Sequence, residues 1–350
     1  MKVTPAAIEA GPVLKIRVEE PSQSKAHTLM SAVDALAWKY CKPNQDQVPD
    51  GLIDVSSQLV GIPRSATQVE RDQQGTVWKT SQHWWVERAA YCVALERDSV
   101  RATLYMDHTD QEIQASLAYA IRDIITLLLP HTGWIPLHAA CVVPAGAPDE
   151  GVLLVGASGA GKSTLTLGML MQGARCVSDD LLLIAQEQAR KSKNTRSGGV
   201  AVYSMMRDMR VCNDAWERLG LCKDHAGSSG VFAIHAAVEK HTLTAAAMSK
   251  RSSTAELRTA SSSPTRILLP TITSHPRSRL VPVSRAEALP DLLSQMVPAT
   301  MLPADVQHDQ LERTAALLRQ CTAYRLHAGR DLYHNPGHLA ALLQTTTAFA

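Results

Sequence analysis

The chain has 350 residues and few aromatic side chains, at 4% of the total, and only two of them are Phe against six Trp and seven Tyr. A core with so little Phe must be mostly aliphatic, drawn from an apolar fraction of 45% that also excludes a wholly disordered chain. No CxxC pair occurs. The seven cysteines (Cys41, Cys92, Cys141, Cys176, Cys212, Cys222 and Cys321) are odd in number and scattered, which points to neither a zinc site nor a disulfide framework. Charge of one sign is also missing. The net charge of +2 gives no global pull toward nucleic acid. The opening MKVTPAAIEAGPVLKIRVEE has no apolar run of signal-peptide length. The most apolar long window, residues 113–129, carries Arg122 and Asp123, so it reads as an amphipathic helix and not as a membrane span. The expectation is a soluble, cytoplasmic protein with no membrane partner.

At roughly 150 residues per domain the length predicts about two domains. Charge divides unevenly along the chain. Residues 1–150 carry 13 basic and 18 acidic side chains (−5), and residues 151–350 carry 22 and 15 (+7), with 16 of those 22 being Arg. The boundary is placed near residue 130, giving an α+β accessory or acceptor-recognition domain over 1–130 and a catalytic domain over 131–350. In the first, residues 13–18 alternate like a strand and 24–40 have helical apolar spacing. Residues 91–95 and 100–106 read as a hairpin, and 111–129 as a helix. In the second, 134–143 reads as one strand that pairs with the strand 152–155, followed by a helix over 162–173. Residues 175–177 and 181–184 flank an acidic pair as a second strand pair. Residues 186–199 and 248–264 are polar loops. The spacing predicts a strand over 266–270, a capping box at Ser284 and Glu287 that opens a helix, a helix over 311–319 and a strand over 323–326.

The segment GASGAGKS at 156–163 matches G-x-x-x-x-G-K-[ST] in full, between an apolar strand and an apolar-periodic helix. Gly156, Gly159 and Gly161 allow the backbone to wrap an anion, with Ser158, Ala160 and Thr164 completing the cradle and the helix N-terminus adding its positive end. Lys162 is placed to reach β- and γ-phosphates, and the Ser163 hydroxyl to ligate Mg²⁺. Seventeen residues after Lys162 stand Asp179 and Asp180, in CVSDD. Phosphoryl transfer needs one carboxylate to orient or deprotonate the nucleophile and one to hold the metal, although a lone Asp there would by default cap a turn. His138, on an apolar segment before the phosphate-binding strand, would by itself be a hydrogen-bonded core histidine more often than a catalytic one.

Taken in order, LHA at 137–139, GVLLVGASGAGKST and GARCVSDD resemble the catalytic domain of HPr kinase/phosphorylase over about residues 134–185, with a weaker echo in AYRLHAGRD at 323–331. The chain resembles HPr-kinase-like proteins found beside peptide-modification genes, including kinases of lasso-peptide precursors. The resemblance implies an α/β P-loop kinase domain of HPr-kinase/PEP-carboxykinase-like type, preceded by a smaller α+β domain. It implies an ATP- and Mg²⁺-dependent kinase acting on a serine hydroxyl of a peptide or protein, and assembly as a homo-oligomer. Asp179 would be the base, His138 would contact that Asp, Lys162 and Ser163 would bind phosphates and metal, and Asp180 would be a further acidic group near the metal. The chain departs from the bifunctional family at Ala157, where that family has an acidic residue, and lacks its later Gly-rich segment, which argues against dephosphorylation. The first 130 residues do not resemble its usual regulatory domain, which argues against HPr as the substrate. Other readings are a kinase of free serine or a similar hydroxyl compound, and a non-catalytic ATP-binding switch or peptide-delivery protein.

Weaker candidates have plainer readings. Arg325, Arg330 and Asp331 read as strand-end salt bridging unless the segment returns to the site. Arg190, Lys191, Lys193 and Arg196 read as a solvated loop. Trp84 and Trp85 read as buried strand residues before a peptide-contact surface.

Overall fold

The computed structural model describes residues 14–19, 51–56, 60–71, 75–97, 99–106, 113–147, 150–186, 199–204, 209–212, 215, 217, 240–243, 259 and 261–347. The expected helix over 24–40 and the polar stretches within 187–198 and 248–258 lie outside them. The chain packs as two units, Met1–Pro136 with Val297–Gln310, and Leu137–Met296 with Leu311–Ala350. Both combine sheets and helices, a mixed α/β architecture.

The first unit holds a seven-stranded sheet of β1 (Leu14–Glu19), β2 (Gly51–Ser56), β3 (Thr67–Arg71), β4 (Gly75–Lys79), β5 (His83–Arg88), β6 (Tyr91–Glu96) and β7 (Arg101–Met106), in the order β1-β2-β7-β6-β5-β4-β3. The expected hairpin is β6–β7, antiparallel from Tyr91↔Met106 to Leu95↔Ala102. Helix α1 (Ile113–Leu128) packs on β6, with Leu117, Ile121, Ile124 and Ile125 buried. The charged residue that ruled out a membrane span is used here. Asp123 accepts from Arg88 Nε at 3.0 Å and from the Tyr91 hydroxyl at 2.9 Å. Burial, with Asp123 beside it, pushes the Tyr91 hydroxyl well above its usual range, so it stays a donor. No helix among the described residues is long and apolar enough to cross a membrane. Trp84 and Trp85 are buried on β5, 4% and 7% exposed, as their plainer reading holds.

The second unit begins within β8 (Ile135–Leu137), which is followed by β9 (Ala139–Val143), β10 (Gly151–Val155), α2 (Lys162–Met171), β11 (Arg175–Ser178), β12 (Leu182–Gln186), β13 (Val200–Ser204), β14 (Met209–Cys212), β15 (Lys240–Leu243), β16 (Ser261–Ser262), β17 (Pro264–Ile272) and β18 (Arg279–Val283). After these come α3 (Arg285–Leu293), α4 (Ala304–Gln320, whose residues up to Gln310 belong to the first unit), β19 (Thr322–Ala328), α5 (Arg330–His334) and α6 (His338–Thr347). Its main sheet has the order β11-β9-β10-β17-β19-β18, with β10, β17 and β19 mutually parallel. β10 and the middle of β17 are buried on both faces and read as continuous apolar runs, VLLV and ILL. On one face Val152, Leu154, Leu268 and Leu326 pack with Leu165 and Met169 of α2 and Leu339 and Leu343 of α6, an aliphatic core without Phe. The expected capping box is present: the Glu287 N–H donates to Ser284 Oγ (3.3 Å) and the Ser284 N–H to Glu287 Oε2 (2.7 Å). The five described cysteines are free.

Two expectations are corrected. Residues 134–143 do not form one strand, because the chain breaks at His138, whose N–H donates to Gln295 O (2.8 Å) instead of joining a ladder. Of the two resulting strands, β9 pairs with β10 and β8 joins β12 in another sheet. The two strands around the acidic pair do not pair with each other either. β11 joins β9 in the main sheet, and β12 joins β13 in a separate one, so Asp179 and Asp180 sit where the chain leaves one sheet for another.

Helix α2 lies so close to the chain after α5 that a Cβ at Gly168 would come within 2.3 Å of Pro336 Cβ and 2.6 Å of its carbonyl carbon. Gly168→Ala gains about 1 kcal/mol of helix propensity but meets backbone that cannot move without opening the core. A net loss of about 1–3 kcal/mol is expected, read as a lower urea midpoint at an unchanged slope. An unchanged or raised midpoint would show that this contact is not tight.

Candidate active site

The edge of the main sheet that holds the candidate residues follows from its register. Gly156 leaves the carboxyl end of β10. Ala139 pairs with Val155, so one step further sets His138 beside Gly156. β11 runs antiparallel to β9 and therefore in the direction of β10, which brings Asp179 and Asp180 to the same edge. Ligands of parallel α/β sheets bind at the carboxyl ends of the strands. The loop, the acidic pair and the histidine selected from the sequence thus lie at one edge: His138, Gly156, Ser158, Gly159, Ala160, Gly161, Lys162, Ser163, Thr164, Asp179 and Asp180.

The loop's form answers to its sequence. Gly159 and Gly161 have φ of +85° and +89°, left-handed conformations closed to most side chains. Gly161 is the N-cap of α2, and no side chain caps the helix. The first intrahelical bond at this end is Leu165 N–H to Gly161 O (2.9 Å), so the N–H groups of the first turn precede the helical ladder. Ser158 and Gly159 are exposed at the rim, while Ser163 and Thr164 are half-buried. Lys162 is only 6% exposed, and its ammonium donates to Gly156 O (2.6 Å) and Ala157 O (3.2 Å). A buried ammonium and an uncapped helix N-terminus add positive potential at one point, and a phosphate group fits both.

Across the edge, Asp179 is 5% exposed and Asp180 half-buried. His138 Nε2 lies 3.2 Å from Asp180 Oδ1. The resemblance implied a contact of His138 with Asp179; the carboxylate 3.2 Å from its Nε2 is that of Asp180, the second of the pair. The Asp180 N–H is 3.5 Å from Ser178 Oγ, which steadies the turn. No group of three or more His, Cys, Asp or Glu side chains suited to a metal occurs among the described residues. A Mg²⁺ ion bound with phosphates needs only one or two protein oxygens, and Ser163 and Asp180 offer that number.

One segment of this edge carries no motif. Strands β17 and β18 flank β19, so their connection, residues 273–278, crosses over the carboxyl end of β19. Its only signal in the sequence is the density of cations in HPRSR at 275–279. Arg330 and Asp331 do return to this edge, while Arg325 pairs with Asp291 at 3.1 Å, the plainer reading of that residue. Burial pushes the Asp331 carboxyl up, but hydrogen bonds from the Ser278 side chain and backbone outweigh it and hold the carboxyl below its usual range. A groove of about 780 Å³ lies at the opposite end of the sheet, lined by Glu150, Gln172, Arg266 and His338, and shares no residue with the loop or the acidic pair.

No family model matches the chain, and no curated protein matches it in sequence. Among solved structures, the HPr(Ser) kinase/phosphatase from Coxiella burnetii is similar over 61% of this chain and 90% of that chain, at 15% identity and a TM-score of 0.29. At that level of likeness, the function has to be argued from the residues of the site.

Proposed function

We propose that the protein is an ATP- and Mg²⁺-dependent kinase that transfers the γ-phosphoryl group to a serine hydroxyl of a peptide or protein. The observation that carries this reading is the meeting, at one sheet edge, of an uncapped glycine-rich loop holding a buried lysine with two aspartates and a histidine. Lys162 and the first-turn N–H groups of α2 hold the donor's β- and γ-phosphates. Ser163 and Asp180 are the oxygen ligands offered to Mg²⁺, which when bound neutralises charge on the phosphate oxygens. Asp179 accepts the proton of the acceptor hydroxyl as its oxygen bonds to the γ-phosphorus, while the bond from that phosphorus to the β-phosphate oxygen breaks and ADP leaves with its electron pair. His138 orients Asp180.

The test is incubation of the full chain with γ-labelled ATP and Mg²⁺, separately with a pool of serine-containing peptides and with a pool of small hydroxyl compounds including free serine. Label on peptide serine is the expected result. Label confined to the small compounds would replace the acceptor. Tight ATP binding with no labelled product would replace the enzyme by a nucleotide-dependent switch.

A further inference from the structure

The strap over residues 273–278 is held from several sides. The Ser278 hydroxyl donates to Asp331 Oδ1 (2.5 Å), the Ser278 N–H donates to Asp331 Oδ2 (3.0 Å), and the Gly329 N–H donates to Ser278 Oγ (2.8 Å). Thr273 N–H bonds Ala328 O, Arg330 N–H bonds His275 O, and Asp331 N–H bonds Pro276 O. A side chain on Gly329 would fall 2.7 Å from His275 O and 2.8 Å from Arg277 C, so the crossing depends on that glycine. Such a connection is fixed before any ligand arrives.

What it presents is of one sign. Arg277, Arg279 and Arg330 are exposed, and none of them has an acidic partner among the described residues. Asp331, the carboxylate nearest in sequence, is committed to Ser278. At the foot of the strap Ile272 is 62% exposed, and Tyr333, three residues after Arg330, is 47% exposed. Cations interleaved with exposed apolar side chains suit a peptide, whose side chains can supply both acidic and apolar groups, better than a bare polyphosphate. β19 lies two strands from β10, roughly 10 Å across the sheet, a span of about three extended residues.

We propose that this strap is the docking site for an acidic segment of the acceptor, lying within a few residues of the serine to be modified. The assignment of its occupant as an acceptor rests on the kinase reading, whereas the binding itself does not. Long-range attraction to the strap raises the encounter rate of acidic segments and rejects basic ones, which sets specificity where the phosphate loop sets none.

The test uses the full chain without nucleotide and a fluorescein-labelled peptide of alternating Glu and Ser, with an alternating Lys and Ser peptide as counterpart, read by fluorescence anisotropy at low and at physiological salt. The Glu peptide is expected to bind, more weakly as salt rises, and the Lys peptide not to bind. Arg277→Glu with Arg330→Glu should weaken binding of the Glu peptide by about tenfold or more, and Arg277→Gln with Arg330→Gln by less. Arg64→Glu with Arg71→Glu, exposed in the other unit, controls for net charge and should change it by less than about twofold. ATP affinity of the Arg277 and Arg330 variants should stay at the wild-type value. Equal binding of the Lys peptide, equal losses in the control pair, or a loss of ATP affinity without loss of peptide affinity would each overturn the proposal, the last by giving the strap to the nucleotide. If peptide binding behaves as expected while wild-type protein labels no acceptor, the docking site stands and the kinase reading falls.

Discussion

Replacing Lys162 by alanine is expected to weaken ATP binding by at least about 100-fold. A charge-assisted hydrogen bond is worth about 1.5–3 kcal/mol, and an ammonium placed between two phosphates makes more than one. The site enlarges the effect because Lys162 is 6% exposed, so water screens the charge little. Fold is the competing explanation, since the same ammonium ties Gly156 O and Ala157 O together. The two are separated by titrating the variant with ATP beside its thermal melt in the absence of nucleotide. A hundredfold loss of affinity with a melting midpoint within a few degrees of wild type assigns the residue to phosphate binding. Unchanged affinity would remove the loop from the site.

The second large effect is on transfer alone. Asp179→Asn keeps the size of a side chain that is 5% exposed while removing its capacity to take a proton. Transfer is expected to fall by about 10²–10⁴-fold, the range for a lost general base, with ATP affinity within about twofold of wild type. Asp180→Asn makes the informative contrast. As a proposed metal ligand its loss should be partly restored by raised Mg²⁺, whereas added Mg²⁺ should leave Asp179→Asn unimproved. Single-turnover measurements across a Mg²⁺ series decide this. Wild-type transfer in Asp179→Asn would show that the base lies elsewhere, with Asp180 as the next carboxylate to examine.

The legible parts of this protein are those whose physics is local. The loop could be read at 156–163 because left-handed backbone at Gly159 and Gly161, and a lysine opening a helix, have to be encoded where they occur. The capping box at Ser284 and Glu287 is likewise a contact three residues apart. Helix α1 could be told from a membrane span because Arg122 and Asp123 interrupt its apolar run, although that Asp123 answers Arg88 and Tyr91 depends on a pairing across more than thirty residues.

Illegible parts turn on register and strand order. The break at His138 depends on Gln295, a partner more than 150 residues away that no window of sequence contains. Which aspartate faces His138 depends on how β11 sits against β9, where the pairing slips between Cys176 and Ser178. A slip of one residue exchanges the faces of a strand, so adjacent aspartates cannot be assigned by spacing alone. The strap is the extreme case. HPRSR at 275–279 carries no motif of its own, and its place is set only when β19, later in the chain, lies between the two strands that it connects.

By itself, then, the sequence determined the glycine-rich loop, the acidic pair and an aliphatic core poor in Phe, because backbone conformation, capping and side-chain volume act over a few residues. Only the tertiary structure decided that His138 meets Asp180, that the two strands around the acidic pair part into different sheets, and that three exposed arginines stand on the same edge as the loop. Those outcomes rest on strand order and register, which are settled by the burial of whole faces against one another and are written in no single stretch of the chain.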